Sequence, residues 1–208
     1  MGGIDICPLR RNEVSQSATV LARAFFDDPV MTWVVPDDKA RARGLVRGFA
    51  TFARHHFLSR GGAEVARREG SVGGAAYWDP PGKRKSSRFE ELAMLPGLLW
   101  ANRLRITALM QVMELMEEHH PDEPHLYLML IGSDPAARGA RFGHALMRSR
   151  LDRCDAEGCP AYLENTKPKN EGYYTRFGFE ITGEMKLPEG GPSLLTSICP
   201  SATKDQAS

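Results

Sequence analysis

The sequence predicts one mixed α/β domain, and three observations carry that expectation. The chain has 208 residues, 42% of them hydrophobic and 25% charged, enough to close a single core with little left for disorder. Hydrophobic spacing alternates between helical and strand periods along its length. An apolar run, Leu126 to Ser133, is followed directly by a helical pattern, which is the signature of a strand feeding a helix.

The elements follow in order. Ile4 to Leu9 reads as an opening strand, and Asn12 offers a side-chain oxygen to cap the next helix. Val14, Ala18, Leu21, Ala22 and Phe25 fall on one helical stripe that ends near Asp27-Asp28-Pro29. Lys39 to Leu58 repeats the helical pattern, with Leu45, Val46, Phe49 and Phe52 on one side and arginines distributed through it, as on a surface helix. Gly61-Gly62 breaks the chain; Ala63 to Arg68 and Ser71 to Trp78 then read as two strands joined at Glu69-Gly70. Lys83 to Arg88 is a basic loop of a solvated kind.

A helical region from Phe89 to Glu118, interrupted at Pro96-Gly97, is rich in leucine and methionine. After the strand Leu126–Ser133, a helix is expected from about Arg138, turning Leu146, Met147, Leu151 and Cys154 inward. Ala161 to Glu164 is a further strand, Asn170 to Arg176 a short helix, and Phe179 to Leu187 with Ser193 to Cys199 a closing pair. Residues 1–200 form the expected domain, and 201–208 a disordered tail.

Composition narrows the partners. A net charge of +1 gives no field for a phosphate polymer, so nucleic acid is not expected. No apolar segment approaches the roughly 20 residues of a membrane span, and the start lacks a signal-peptide run, so the expected place is the cytoplasm, away from membranes. Cys7, Cys154, Cys159 and Cys199 stand singly and form no C-x-x-C pair. A homodimer is compatible with the pattern but not specified by it.

Two stretches carry chemistry. In Ser133-Asp134-Pro135-Ala136-Ala137-Arg138-Gly139-Ala140-Arg141-Phe142-Gly143-His144, small residues precede a helix whose unpaired amides and dipole make a seat for phosphate. Alone, this is equally an ordinary strand-to-helix connection. The second stretch, Asn170-Glu171-Gly172-Tyr173-Tyr174-Thr175-Arg176-Phe177-Gly178-Phe179, follows a strand and ends in Gly-Phe.

Together the two stretches resemble the GNAT superfamily of acyl-CoA N-acyltransferases, whose loop reads Gln/Arg-x-x-Gly-x-Gly/Ala and whose late segment places an Asn and a Tyr ahead of Gly-Phe. His119-His120-Pro121-Asp122-Glu123-Pro124-His125-Leu126-Tyr127-Leu128 more loosely resembles the segment before the central strand in puromycin N-acetyltransferase-like actinobacterial members. The resemblance implies a bent, mostly antiparallel sheet with helices on both faces and two central parallel strands parted at the cofactor. It implies acetyl-CoA as co-substrate, its pyrophosphate on the backbone of Arg138, Gly139, Ala140, Arg141, Phe142, Gly143 and His144. Its pantetheine would lie along Ile131, Gly132 and Ser133, with Asn170 in contact nearby. Tyr174 matches the family tyrosine beside the thioester sulfur. A phenol of pKa near 10 can protonate a thiolate of about 8.5 with a modest uphill step; the bland alternative is a core aromatic beside Tyr173 and Phe177.

The sequence departs from that pattern at Arg141, where the family has its inner glycine. Either the backbone is already helical at Arg141, with the guanidinium reaching phosphate, or CoA binding is weakened; the first is the expectation. For the base that deprotonates the acceptor, Glu123 and Glu164 are the nearest acids, and Glu123 with Tyr174 is the expected catalytic pair; the resemblance equally allows deprotonation through ordered water with no dedicated base. His119, His120, Asp122, Glu123 and His125 have metal-ligand chemistry but no ligand template, so no metal is expected. The implied activity is acetyl transfer to a small-molecule amine by direct attack; the competing class is a silent acyl-CoA sensor or scaffold. The acceptor is expected among the helices around Phe25 to Trp33 and Met94 to Met116.

Overall fold

The computed structural model describes residues 3–81 and 106–201. The basic loop Lys83 to Arg88, the break at Pro96-Gly97 and the tail beyond Ser201 lie outside the described residues. Seven strands form one sheet in the order β1-β2-β3-β4-β5-β7-β6: β1 Asp5–Pro8, β2 Ala63–Arg68, β3 Ser71–Asp79, β4 Leu126–Ser133, β5 Ala161–Asn165, β6 Glu180–Lys186 and β7 Ser193–Cys199. Every neighbouring pair is antiparallel except β4 and β5, the arrangement expected for the centre of the sheet.

Six helices flank it among the described residues: α1 Val14–Ala24, α2 Pro29–Val34, α3 Asp38–Phe52, α4 Ile106–Glu118, α5 Phe142–Glu157 and α6 Glu171–Thr175. In α1, Val14, Ser17, Ala18, Leu21 and Ala22 are buried, the spacing that gives a helix one apolar face. Asn12 does not cap it: Arg11–Glu13 is a 3-10 turn and Glu13 stands at the N-cap position. The helix read from Lys39 to Leu58 is divided, because α3 passes into a π-helical turn at Ala53–Phe57 before a last turn at Leu58–Arg60. That turn brings His56 onto Asp79 at the end of β3, with Nε2 at 2.7 and 2.9 Å from the two carboxylate oxygens. The β2–β3 hairpin turns through Glu69 and Gly70 at φ 52° and 78°, the left-handed pair suited to a two-residue turn.

Of three apolar clusters among the described residues, two lie on opposite faces of the sheet. One joins α1 and α3 to Val65, Ala75, Tyr77 and Leu130; the other joins α5 to Ala76, Trp78, Leu126, Leu128 and Leu163. Strand periodicity alone would put Leu126, Leu128 and Leu130 on one face. A bulge intervenes: Tyr77 pairs with Leu130 and Trp78 with Leu128, leaving Met129 as the extra residue, and Leu130 turns to the other core. Phe142 fixes α5 on β3, for a Cβ on Gly73 would stand 2.2 Å from its ring; only a residue without a side chain permits that approach.

Candidate active site

The two parallel strands part at the bulge. Leu126, Tyr127 and Leu128 pair with Ala161, Tyr162 and Leu163, and there the ladder stops although β4 continues to Ser133. On its other side β4 stays bonded to β3 through Ser133. The main-chain polar groups of 129–133 that face β5 therefore have no strand partner and must meet water or an extended ligand.

A cavity of about 160 Å³ occupies the gap, its walls including Met129, Leu130 and Ile131 from β4, Leu163, Glu164 and Asn165 from β5, Asn170 and Tyr174. Met31, Val112, Met113 and Met116 close the side of α2 and α4, an adaptable apolar wall. Ile131, Asn170 and Tyr174, chosen from the sequence, thus share one cavity. Burial, then the neighbouring Tyr173 and Asp28, push the Tyr174 phenol well above its ordinary 10.0. The uphill step to a thiolate is larger than the sequence suggested, because the ring is shielded from the water that would solvate a phenolate.

Asp28 was missed. Its carboxylate is buried; Oδ1 accepts from the amides of Val30 at 3.0 Å and Met31 at 3.2 Å, capping α2. Oδ2 accepts from Thr166 Oγ1 at 2.5 Å, closing the cavity between α2 and the end of β5. Asp followed by Pro is a helix-start signature; it marks the beginning of α2 rather than only the end of α1.

The glycine-containing loop is built differently from the expectation. Asp134 accepts from Ala136 N–H at 3.0 Å, starting a 3-10 turn at Pro135–Ala137, and Arg23 pairs with it at 2.8 Å. These contacts, the amide foremost, hold the Asp134 carboxyl below its usual range. Arg138 is extended at ψ 135°, and the left-handed residues Gly139 and Arg141, at φ 86° and 66°, delay α5 to Phe142. The helix does not begin near Arg138, and Arg141 is not helical: it takes the left-handed conformation that the glycine would have supplied.

Amides of Arg138 and Ala140 already bond to the carbonyls of Pro135 at 3.3 Å and Ala137 at 3.1 Å. The first helical bond is Ala145 N–H to Arg141 O at 3.1 Å, which leaves the amides of Arg141, Phe142, Gly143 and His144 as the donors of the helix N-terminus. A Cβ on Gly143 would stand 3.0 Å from the Tyr173 hydroxyl and 3.5 Å from Ser133 Oγ. The strand end, helix start and late segment therefore converge on Gly143. The Tyr173 hydroxyl is buried without a hydrogen-bond partner, and burial pushes its pKa up to about 12.

Glu123 and Tyr174 are not brought together. Glu123 is exposed and borders a second cavity of about 290 Å³ with Asp79, His120, His125 and Tyr127. Glu164, the other acid weighed from the sequence, lies in the wall of the first cavity with its side chain 2% exposed. Among the described residues no group of three or more His, Cys, Asp or Glu is placed to hold a metal ion, and no helix is long and apolar enough to cross a membrane.

Comparison with known proteins gives these features a context. Residues 9–179 match the model of the acetyltransferase (GNAT) family. An uncharacterised N-acetyltransferase of Schizosaccharomyces pombe is 22% identical over 180 residues, covering 80% of this chain and 70% of that protein. Among solved structures, a protein of Corynebacterium glutamicum described as histone acetyltransferase HPA2 and related acetyltransferase superposes with a TM-score of 0.75 at 24% identity, covering 97% of this chain and 98% of that one. The polyamine N-acetyltransferase of Drosophila melanogaster, which forms N-acetylagmatine, gives 0.59 at 18% identity, covering 95% and 100%.

Proposed function

This chain belongs to the GNAT acetyltransferase family, and from that premise we propose that it moves the acetyl group of acetyl-CoA directly to a primary amine of a small molecule seated between β4 and β5. The observation that carries the reading is the shared cavity: a phenol, Tyr174, and a carboxylate, Glu164, face one apolar space where the central strands separate. The relative that forms N-acetylagmatine supports a small amine as acceptor class.

The residues fit the cofactor in two ways. The unspent edge of β4 from Ile131 to Ser133 suits a chain of amides, and the donors of Arg141 to His144 suit a diphosphate at a helix N-terminus, with Gly143 leaving room that a Cβ would fill. Asn170, in the same cavity wall, is the remaining contact. Acetyl-CoA supplies the activated acetyl group and a thiolate leaving group; the protein must manage protons. An acceptor ammonium becoming an amide sheds two protons, and the thiolate takes one. Tyr174 gives a proton to the sulfur and regains one from the acceptor nitrogen in the same event, since a buried phenolate is too costly to persist. Glu164 takes the other proton as general base. Cys154 and Cys199, whose thiols burial raises, are not placed in this cavity, in keeping with direct transfer.

A net charge of +1 suits a small substrate in the cytoplasm rather than nucleic acid or membrane. The competing reading, a silent acyl-CoA sensor, draws on the left-handed Arg141 in the phosphate loop. Incubation with acetyl-CoA and a panel of agmatine, polyamines, aromatic amines and puromycin, following free thiol, tests the proposal. Thiol release with one amine class is expected; tight CoA binding in calorimetry without release for any amine would favour the sensor.

A further inference from the structure

A line of polar side chains leads out of the transfer cavity on the side away from the phosphate loop. Glu164 Oε1 stands 3.7 Å from Nδ1 of His120, and neither atom has a hydrogen-bond partner. Nε2 of His120 is 2.8 Å from Nε2 of His125. Nδ1 of His125 is 2.7 Å from the main-chain oxygen of Glu123; a carbonyl only accepts, so that nitrogen carries a hydrogen. Tyr127 and Tyr162 wall the chain, their ring centroids 4.8 and 4.9 Å from that of His120. The Tyr127 hydroxyl donates to Glu164, and burial with that carboxylate holds the phenol far above its ordinary value. Both imidazoles border the second cavity.

Proton counting makes this more than packing. With His125 Nδ1 protonated and one hydrogen shared between the two Nε2 atoms, neutral rings leave the bare Nδ1 of His120 facing a carboxylate oxygen. To bond across that 3.7 Å gap the chain must hold one proton more than two neutral imidazoles and one carboxylate. That proton moves along the chain in two steps, one across the 3.7 Å gap and one along the 2.8 Å contact. Protonated Glu164 gives its hydrogen to His120 Nδ1 while His120 Nε2 passes its own to His125 Nε2, leaving a carboxylate at one end and an imidazolium at the other.

We propose that His120 and His125 are the proton outlet of the transfer reaction, carrying the proton that Glu164 takes from the acceptor into the second cavity. The inference rests on the acetyl-transfer reading, which requires one proton per turnover to reach solvent. At the far end the imidazolium of His125 gives its Nδ1 hydrogen to water in the second cavity, which takes the place of the Glu123 carbonyl as acceptor. The surroundings favour that direction: Asp79 from β3, Glu117 from α4, and Asp122 and Glu123 from the loop all line the second cavity. Asp79 is already paired with His56 at 2.7 Å and faces Arg60 at 3.6 Å. The two histidines touch neither acceptor nor cofactor and act through Glu164, as positioning and relay residues.

The test uses His120→Gln, with His125→Gln as second variant should the first fold poorly. Turnover is expected to fall by roughly 10- to 100-fold, while acceptor KM and CoA affinity stay within about twofold. Added imidazole should restore turnover saturably in the variants and leave the parent unchanged. Parent-like turnover in both variants, or a deficit indifferent to imidazole, overturns the outlet. Nitrogen-15 NMR of the resting protein reads the chain without any transfer: Glu164→Gln removes the carboxylate that faces His120 Nδ1 and should move the ring signals of His120 and His125 together. Unmoved signals overturn the proposal. Should the parent acetylate no amine, the transfer reading fails on its own, and the NMR result still decides whether the chain shares a proton.

Discussion

Thr166 donates its hydroxyl hydrogen to Asp28 Oδ2 at 2.5 Å, while Oδ1 of the same carboxylate caps α2; one buried side chain joins α2 to the end of β5. Asp28→Ala leaves two helix amides and a threonine hydroxyl without their acceptor, and should destabilise the fold by about 2 kcal/mol in denaturant titration. Burial raises the Asp28 carboxyl above its ordinary 3.8. Between 3.8 and the raised midpoint the folded chain therefore keeps a proton that the unfolded chain has lost, so this group's contribution falls as pH rises through that window. Asp28→Asn removes the titration. Its stability relative to the parent should rise as pH rises above about 4, and a constant difference would show that Asp28 titrates alike in both states.

For Tyr174→Phe, a loss of about 100-fold in turnover is expected with unchanged CoA affinity, because the ring stays in the cavity wall while the proton donor goes. The raised phenol also predicts a pH dependence. With its pKa above 10.0, Tyr174 remains protonated through about pH 10, so no alkaline decline of turnover below that pH belongs to it. A decline in the parent that Tyr174→Phe abolishes would contradict this.

Much of this arrangement was legible because it is local. The apolar run of β4 announces a strand buried on both faces, and the stripe of α1 its core-facing side. What escaped depends on pairing between distant segments. The bulge at Met129 exists only against β3, and the late start of α5 follows from two left-handed residues whose dihedrals are not written in side-chain identity. That Glu123 and Glu164 line different cavities escaped for a similar reason: both sit close in sequence to a central strand, but only the second lies beyond the point where β4 and β5 separate. The histidine cluster was visible as residue types, and its partner Glu164 comes from another strand.

Arg141 at φ 66° stands in a conformation that disfavours side chains by roughly 1 kcal/mol. Arg141→Gly should raise stability by about that amount in thermal melts, and Arg141→Val should lower it. Affinity for CoA should move the other way: the exposed guanidinium is a solvent-screened charge at the proposed phosphate seat, and its loss should weaken binding by a factor of about five or less. Tighter CoA binding by Arg141→Gly in calorimetry would mean that backbone strain, not charge, governs the seat.

The two carboxylates can be separated by one pair of substitutions. Glu164→Gln keeps the side-chain volume and its hydrogen bond with Tyr127 but cannot hold the acceptor's proton, so kcat/KM should fall by about 100-fold or more, with CoA binding retained. Glu123→Gln changes an exposed side chain in a different cavity, and the contact it makes to His125 uses its main-chain oxygen, which the substitution leaves in place. Its kcat/KM should stay within about twofold of the parent. The reverse outcome, a large loss at Glu123 and none at Glu164, would place the base outside the gap between β4 and β5 and, with it, the acceptor.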